Sequence, residues 1–122
     1  MSDDRKLIPL YDATAPIVCT LTAGEVQERR ELLRWLRANL SAVDRTEHGM
    51  LLHFPADEDV DEQLRHFAQV EKECCAFWGF AVERDQGTTT LRWDAPPAAG
   101  DLVEGLLAYL RGDPGADLTG LL

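Results

Sequence analysis

Phe80-Ala81-Val82-Glu83-Arg84-Asp85-Gln86-Gly87-Thr88-Thr89-Thr90-Leu91-Arg92-Trp93 reads as a β-hairpin. Thr88 to Trp93 alternates with period two, Phe80 to Arg84 is a short run able to pair with it, and Asp85-Gln86-Gly87 supplies the turn. Asp94-Ala95-Pro96-Pro97 ends the second strand, because a proline pair cannot continue a hydrogen-bonded ladder. Beyond it, Leu102, Val103, Leu106, Leu107 and Leu110 recur at helical spacing over Asp101 to Arg111, and Gly112 closes that helix.

Upstream of the hairpin, Asp57, Glu58 and Asp59 gather where the positive end of a helix favours negative charge, so a helix is expected to begin near Val60. Before it, Met50 to Phe54 reads as a strand stopped by Pro55, after a turn at Asp44 to Gly49. Thr22 with Glu25 forms a capping box that opens an earlier helix. Along that helix Val26, Leu33, Leu36, Leu40 and Val43 form the apolar side. Arg29, Arg30, Arg34 and Arg37 are read as the solvated side. Ile17-Val18-Cys19-Thr20-Leu21, short and rich in β-branched residues, reads as the first strand.

The expected order is therefore β-α-β-α-β-β-α, an α+β fold with a mixed or antiparallel four-stranded sheet and helices packed over it. A chain of 122 residues suits one domain. Residues 1–15 read as an N-terminal arm, 16–111 as the domain and 112–122 as a loose C-terminal tail.

The formal charge of −10 would repel phosphate backbones and anionic lipids, so neither nucleic acid nor a membrane is an expected partner. No apolar run has the length of a membrane span or the core of a secretory signal, so the expected location is the cytoplasm. Assembly as a homodimer is left open. The three cysteines, Cys19, Cys74 and Cys75, are an odd number and do not suggest a closed disulfide framework.

The chemistry concentrates on the second helix. With Val60 as origin and about 100° per residue, Leu64, Phe67, Cys74, Cys75 and Trp78 all fall within about 60° of one line, and Glu71 falls at about 20°, inside the same stripe. A carboxylate there must become protonated, pair with a distant group or meet a metal, since Arg65, Lys72 and Glu73 project elsewhere. Glu71 also lies one turn before both cysteines, so the three side chains can converge. Adjacent helical residues diverge, which disfavours a disulfide between Cys74 and Cys75 while the helix persists.

Cys19 offers a third sulfur if its strand runs beneath this helix. Such a donor set suits thiophilic ions: zinc, copper(I), mercury or arsenite. His48, His53 and His66 are weaker candidates to complete a zinc site. Packing alone is the bland alternative, because free cysteine behaves as a small hydrophobe.

The run Ile17-Val18-Cys19-Thr20-Leu21-Thr22, the Arg-rich helix, Glu71-Lys72-Glu73-Cys74-Cys75-Ala76-Phe77 and the closing hairpin resemble a group of small bacterial proteins. The likeness covers roughly residues 15–110 and centres on Glu-x-x-Cys-Cys-x-Phe, with Ala76 where many of the group have proline. Some of that group accompany heavy-metal-resistance or metal-responsive genes, so the resemblance implies metal or metalloid handling through Cys19, Glu71, Cys74 and Cys75. The same residue types also resemble, in chemistry alone, the cysteines and acid of organomercurial lyases. The two functional expectations are thus ion binding for detoxification, storage or sensing, and a thiol-dependent enzyme with Glu71 as general acid, lyase-like or redox-active.

Overall fold

In the computed structural model, residues 23–75 and 77–112 are described, apart from the side chains of residues 23–26 and Cys74. The elements are helix α1 (Ala23–Asn39), strands β1 (Ala42–Arg45) and β2 (Gly49–Pro55), helix α2 (Glu58–Cys74), strands β3 (Gly79–Asp85) and β4 (Thr88–Asp94), a 3-10 turn at Pro97–Ala99, and helix α3 (Gly100–Arg111). They form an α+β domain with a four-stranded, wholly antiparallel sheet in the order β1-β2-β4-β3.

The expected hairpin is β3-β4, with Asp85 paired to Thr88 and Gly79 to Asp94. Gln86 and Gly87 have φ of 46° and 82°, the two successive positive values of a type I′ turn, whose twist matches that of the flanking strands. Along β2 and β4, Met50, Leu52, Phe54, Thr89, Leu91 and Trp93 face the helices and are buried, while Leu51, His53, Thr90 and Arg92 alternate to the other face. Gly49 begins β2 where the strands approach most closely. A Cβ there would sit 1.9 Å from the Trp93 carbonyl oxygen, so any side chain would force the strands apart.

One expectation needs correction. Val43, assigned to the apolar side of the first helix, lies instead in β1, paired with Leu52, because α1 stops at Asn39 and the chain doubles back as a strand. Arg45 holds the turn between β1 and β2, donating through Nη1 to the carbonyls of Thr46 and Gly49, both at 2.7 Å. The first strand expected at Ile17 to Leu21 lies outside the described residues, as do the N-terminal arm and nearly all of the C-terminal tail. The order within the described chain is therefore α-β-β-α-β-β-α.

Helix α2 packs on β3 and β4, α3 packs on β1 and β2, and α1 contacts both helices. Aromatic rings fill the space beneath α2: Phe67 meets Trp93 edge-on at 5.3 Å, and Trp78 meets Trp93 edge-on at 5.2 Å. Such edge-to-face pairs add to the area they bury. Asp57 caps α2, its carboxylate accepting from the Asp59 amide at 2.7 Å, and Glu58, Asp59 and Asp61 complement the helix dipole. Asp61 also reaches the hairpin, accepting from Thr89 Oγ1 at 2.6 Å and pairing with Arg84 at 2.9 Å. These contacts fix where the other end of α2 must lie. No helix among the described residues is long and apolar enough to cross a membrane.

Candidate functional site

The apolar stripe of α2 descends through Leu64, Phe67 and Glu71 to Cys75, all fully buried. Glu71 is thus where the sequence pattern puts it, in the interior. Its compensation comes from α1: Arg29 Nε donates to Glu71 Oε2 at 2.7 Å, with side-chain exposures of 4% and 0%. Of the three fates open to a buried carboxylate, pairing with a distant group is the one observed.

This corrects the assignment of Arg29 to a solvated face. Arg34 and Arg37 are exposed, but Arg29 is buried. The signal was present in the spacing, since Arg29 precedes Leu33 by four residues and Leu36 by seven, which places it on the leucine stripe. A guanidinium on one apolar stripe and a carboxylate on another are each costly alone and tolerable together.

Glu71 Oε1 is a different matter. It has no hydrogen-bond partner among the described residues, and the same holds for the Trp78 indole Nε1. The Trp78 indole N–H nonetheless favours the ionised carboxylate. The net direction of the Glu71 pKa is upward: burial raises it, and the Arg29 charge, the Arg29 hydrogen bond and Trp78 offset only part of that rise. A buried, unpaired acceptor and donor each cost about 1–3 kcal/mol.

The helix ends at Cys74. Cys75 is its C-cap with φ −131° and ψ 85°, its amide still bonded to the Glu71 carbonyl at 2.7 Å. Cys75 and Trp78 are therefore not on the continued helical wheel, and the argument that neighbouring helical cysteines diverge does not apply to Cys75. The turn after it is held by Trp78 N–H donating to the Cys75 carbonyl at 3.1 Å and by Lys72 Nζ donating to the Trp78 carbonyl at 2.6 Å. Lys72, whose sequence position suggests only a solvated charge, thus secures the turn beyond the helix.

Cys75 is disulfide-bonded, with its sulfur in the core. The other half of that bond lies outside the described side chains, and the chain has two other cysteines, Cys19 and Cys74. Among the described residues no three His, Cys, Asp or Glu side chains are grouped as metal ligands. The histidines are placed elsewhere. His53 faces away from the helices and contacts Asp44 Oδ2 at 2.9 Å, His66 is exposed on α2, and His48 sits in the β1-β2 turn.

No family model, curated protein or solved structure matches the chain.

Proposed function

We propose that this protein binds a thiophilic metal or metalloid ion, zinc, copper(I), mercury or arsenite, through thiolates of Cys19, Cys74 and Cys75 at the carboxyl end of α2. The observation that supports this most is the unpaired Glu71 Oε1, buried one turn before a buried cysteine sulfur. Glu71 serves as an additional ligand or accepts a proton as a thiol ionises, since thiols must lose protons to bind metal. Soft sulfur donors select these ions over magnesium or calcium. The working compartment in this reading is the cytoplasm, where reduced thiols are available.

The test is titration of the reduced protein with each ion, following thiolate-to-metal absorption. A stoichiometric complex that disappears in the Cys74→Ser/Cys75→Ser variant supports the reading. Equal binding by that variant, or no complex with any of the four ions, rejects it.

A second reading draws on the upward pKa of Glu71 together with the disulfide at Cys75. In it the protein is a thiol-dependent enzyme and Glu71 is the general acid that protonates a departing carbon or sulfur. Glu71→Gln separates the two. Loss of turnover on an organomercurial or disulfide substrate with binding retained favours the enzyme, whereas absence of turnover in the wild type leaves ion binding.

A further inference from the structure

The two edges of the sheet are unlike. β1 is four residues long, mostly exposed and ends on Asp44 and Arg45, which suits a strand that discourages further pairing. β3 has seven residues and is paired along one side only among the described residues, with β4, so its outer side presents a row of backbone N–H and C=O groups. Its first half, Gly79-Phe80-Ala81-Val82, carries no charge, and its charges are confined to Glu83, Arg84 and Asp85. Phe80 and Val82 face the helices and pack on the core from this edge, only half-buried. A cleft of about 360 Å³ lies beside them, lined by Ala68, Gln69 and Lys72 of α2 and by Gly79 and Phe80.

We infer that this edge is the interface of a homodimer, in which β3 of one copy pairs antiparallel with β3 of a second copy about a two-fold axis through Ala81. The inference is independent of the ion-binding reading. Pairing about Ala81 sets Phe80 opposite Val82 of the second copy, twice by symmetry, so that apolar side chains meet on the helix-facing side. It also sets Glu83 of the second copy opposite Gly79, at the end of the edge where Lys72 lines the cleft. Lys72 Nζ stands 2.6 Å from the Trp78 carbonyl, beside that edge, and Gly79 has no side chain to come between. The incoming carboxylate therefore arrives next to an ammonium, and the charges are complementary.

Neighbouring registers are worse. A two-fold axis through Val82 sets Phe80 opposite Arg84, whose guanidinium is held by Asp61 at 2.9 Å. An axis through Glu83 sets that carboxylate against its own copy, and like charges directly opposite are destabilising. The Ala81 register uses the uncharged half of the strand, and two four-stranded sheets become one sheet of eight strands.

Size and charge set the strength of this association. One short ladder and a shallow cleft fall below the size of a standard stable interface, and a formal charge of −10 on each copy opposes the encounter. The dimer is therefore weak and concentration-dependent, forming in the micromolar range or above.

The test is sedimentation equilibrium of the full-length chain, with non-reducing denaturing electrophoresis of the same samples to exclude an intermolecular disulfide. Wild type is expected to pass from monomer toward dimer as its concentration rises through the micromolar range. Ala81 is paired with Arg92 on the face turned away from the helices, so Ala81→Lys and Ala81→Glu spare the core while placing like charges together at the axis. Each variant alone is expected to stay monomeric, and an equimolar mixture to recover the dimer, which a misfolded variant could not do. Hydrogen exchange adds the location, since amides between Gly79 and Glu83 are expected to exchange more slowly in the dimer than in the monomer. A wild type that stays monomeric, a dimer that survives Ala81→Lys, a mixture that does not associate, or protection confined to other segments overturns the pairing.

Discussion

Arg29 on α1 and Glu71 on α2 stand 42 residues apart in sequence, yet Nε and Oε2 meet at 2.7 Å in the interior. Their pairing joins the two helices and sets the charge environment in which the buried end of α2 works.

Breaking that pair from one side leaves a buried charge uncompensated. Arg29→Met is expected to cost about 3–5 kcal/mol in urea unfolding at neutral pH. Arg29→Met/Glu71→Leu should recover most of that loss, because an apolar pair of similar volume needs no desolvation. If the double variant is no more stable than the single, the ion pair is not what the substitution removed.

The pH dependence has a definite sign. Burial raises the Glu71 pKa above its ordinary value of 4.5, so the folded protein holds this proton to higher pH than the unfolded chain does. Its stabilising contribution is therefore complete below the unfolded value and is lost as pH rises through the folded one. Glu71→Gln abolishes that titration, so the stability of wild type relative to the variant should fall from pH 4 toward neutrality. Parallel pH profiles for the two proteins would show that Glu71 titrates normally.

The hairpin turn offers a stabilising change. Gln86 adopts φ 46°, a conformation that asparagine tolerates better than most residues, and Gly87 already follows it. Gln86→Asn creates the favoured Asn-Gly pair and should add about 0.5 kcal/mol, visible as a small rise in melting temperature. A fall would mean that the Gln86 side chain contributes something other than its backbone geometry.

Asp61→Ala tests how α2 is tied to the sheet. It strips the buried Thr89 hydroxyl of its acceptor and Arg84 of its carboxylate, and a loss of about 2 kcal/mol is expected from the first alone. A loss below about 0.5 kcal/mol would place this contact among ordinary surface pairs.

Much of the fold was legible because its signals are local. The alternation of Thr88 to Trp93, the leucine spacing of α3 and the acids before α2 each specify an element from its own residues. The strand Ala42–Arg45 was hidden because four residues with only Val43 half-buried leave almost no periodicity, and Val43 happens to fit the helical spacing before it. Glu71 stood out as an acid on an apolar face. Arg29 did not, because three other arginines nearby made it look like one of a solvated set, and only its register with Leu33 and Leu36 distinguishes it. The end of α2 could not be placed from spacing, since Cys75 fits the apolar stripe whether or not the backbone there is helical.

Because Asp61 fastens α2 to the hairpin near its beginning and Arg29 holds Glu71 near its end, the tilt of the helix over the sheet is set by two contacts. The distance from Asp61 to Cys75 is about 21 Å at 1.5 Å per residue, so a tilt of roughly 3° displaces the far end by about 1 Å. Substitutions at Asp61 or Thr89 would therefore retune the spacing of sulfur and carboxylate without touching either.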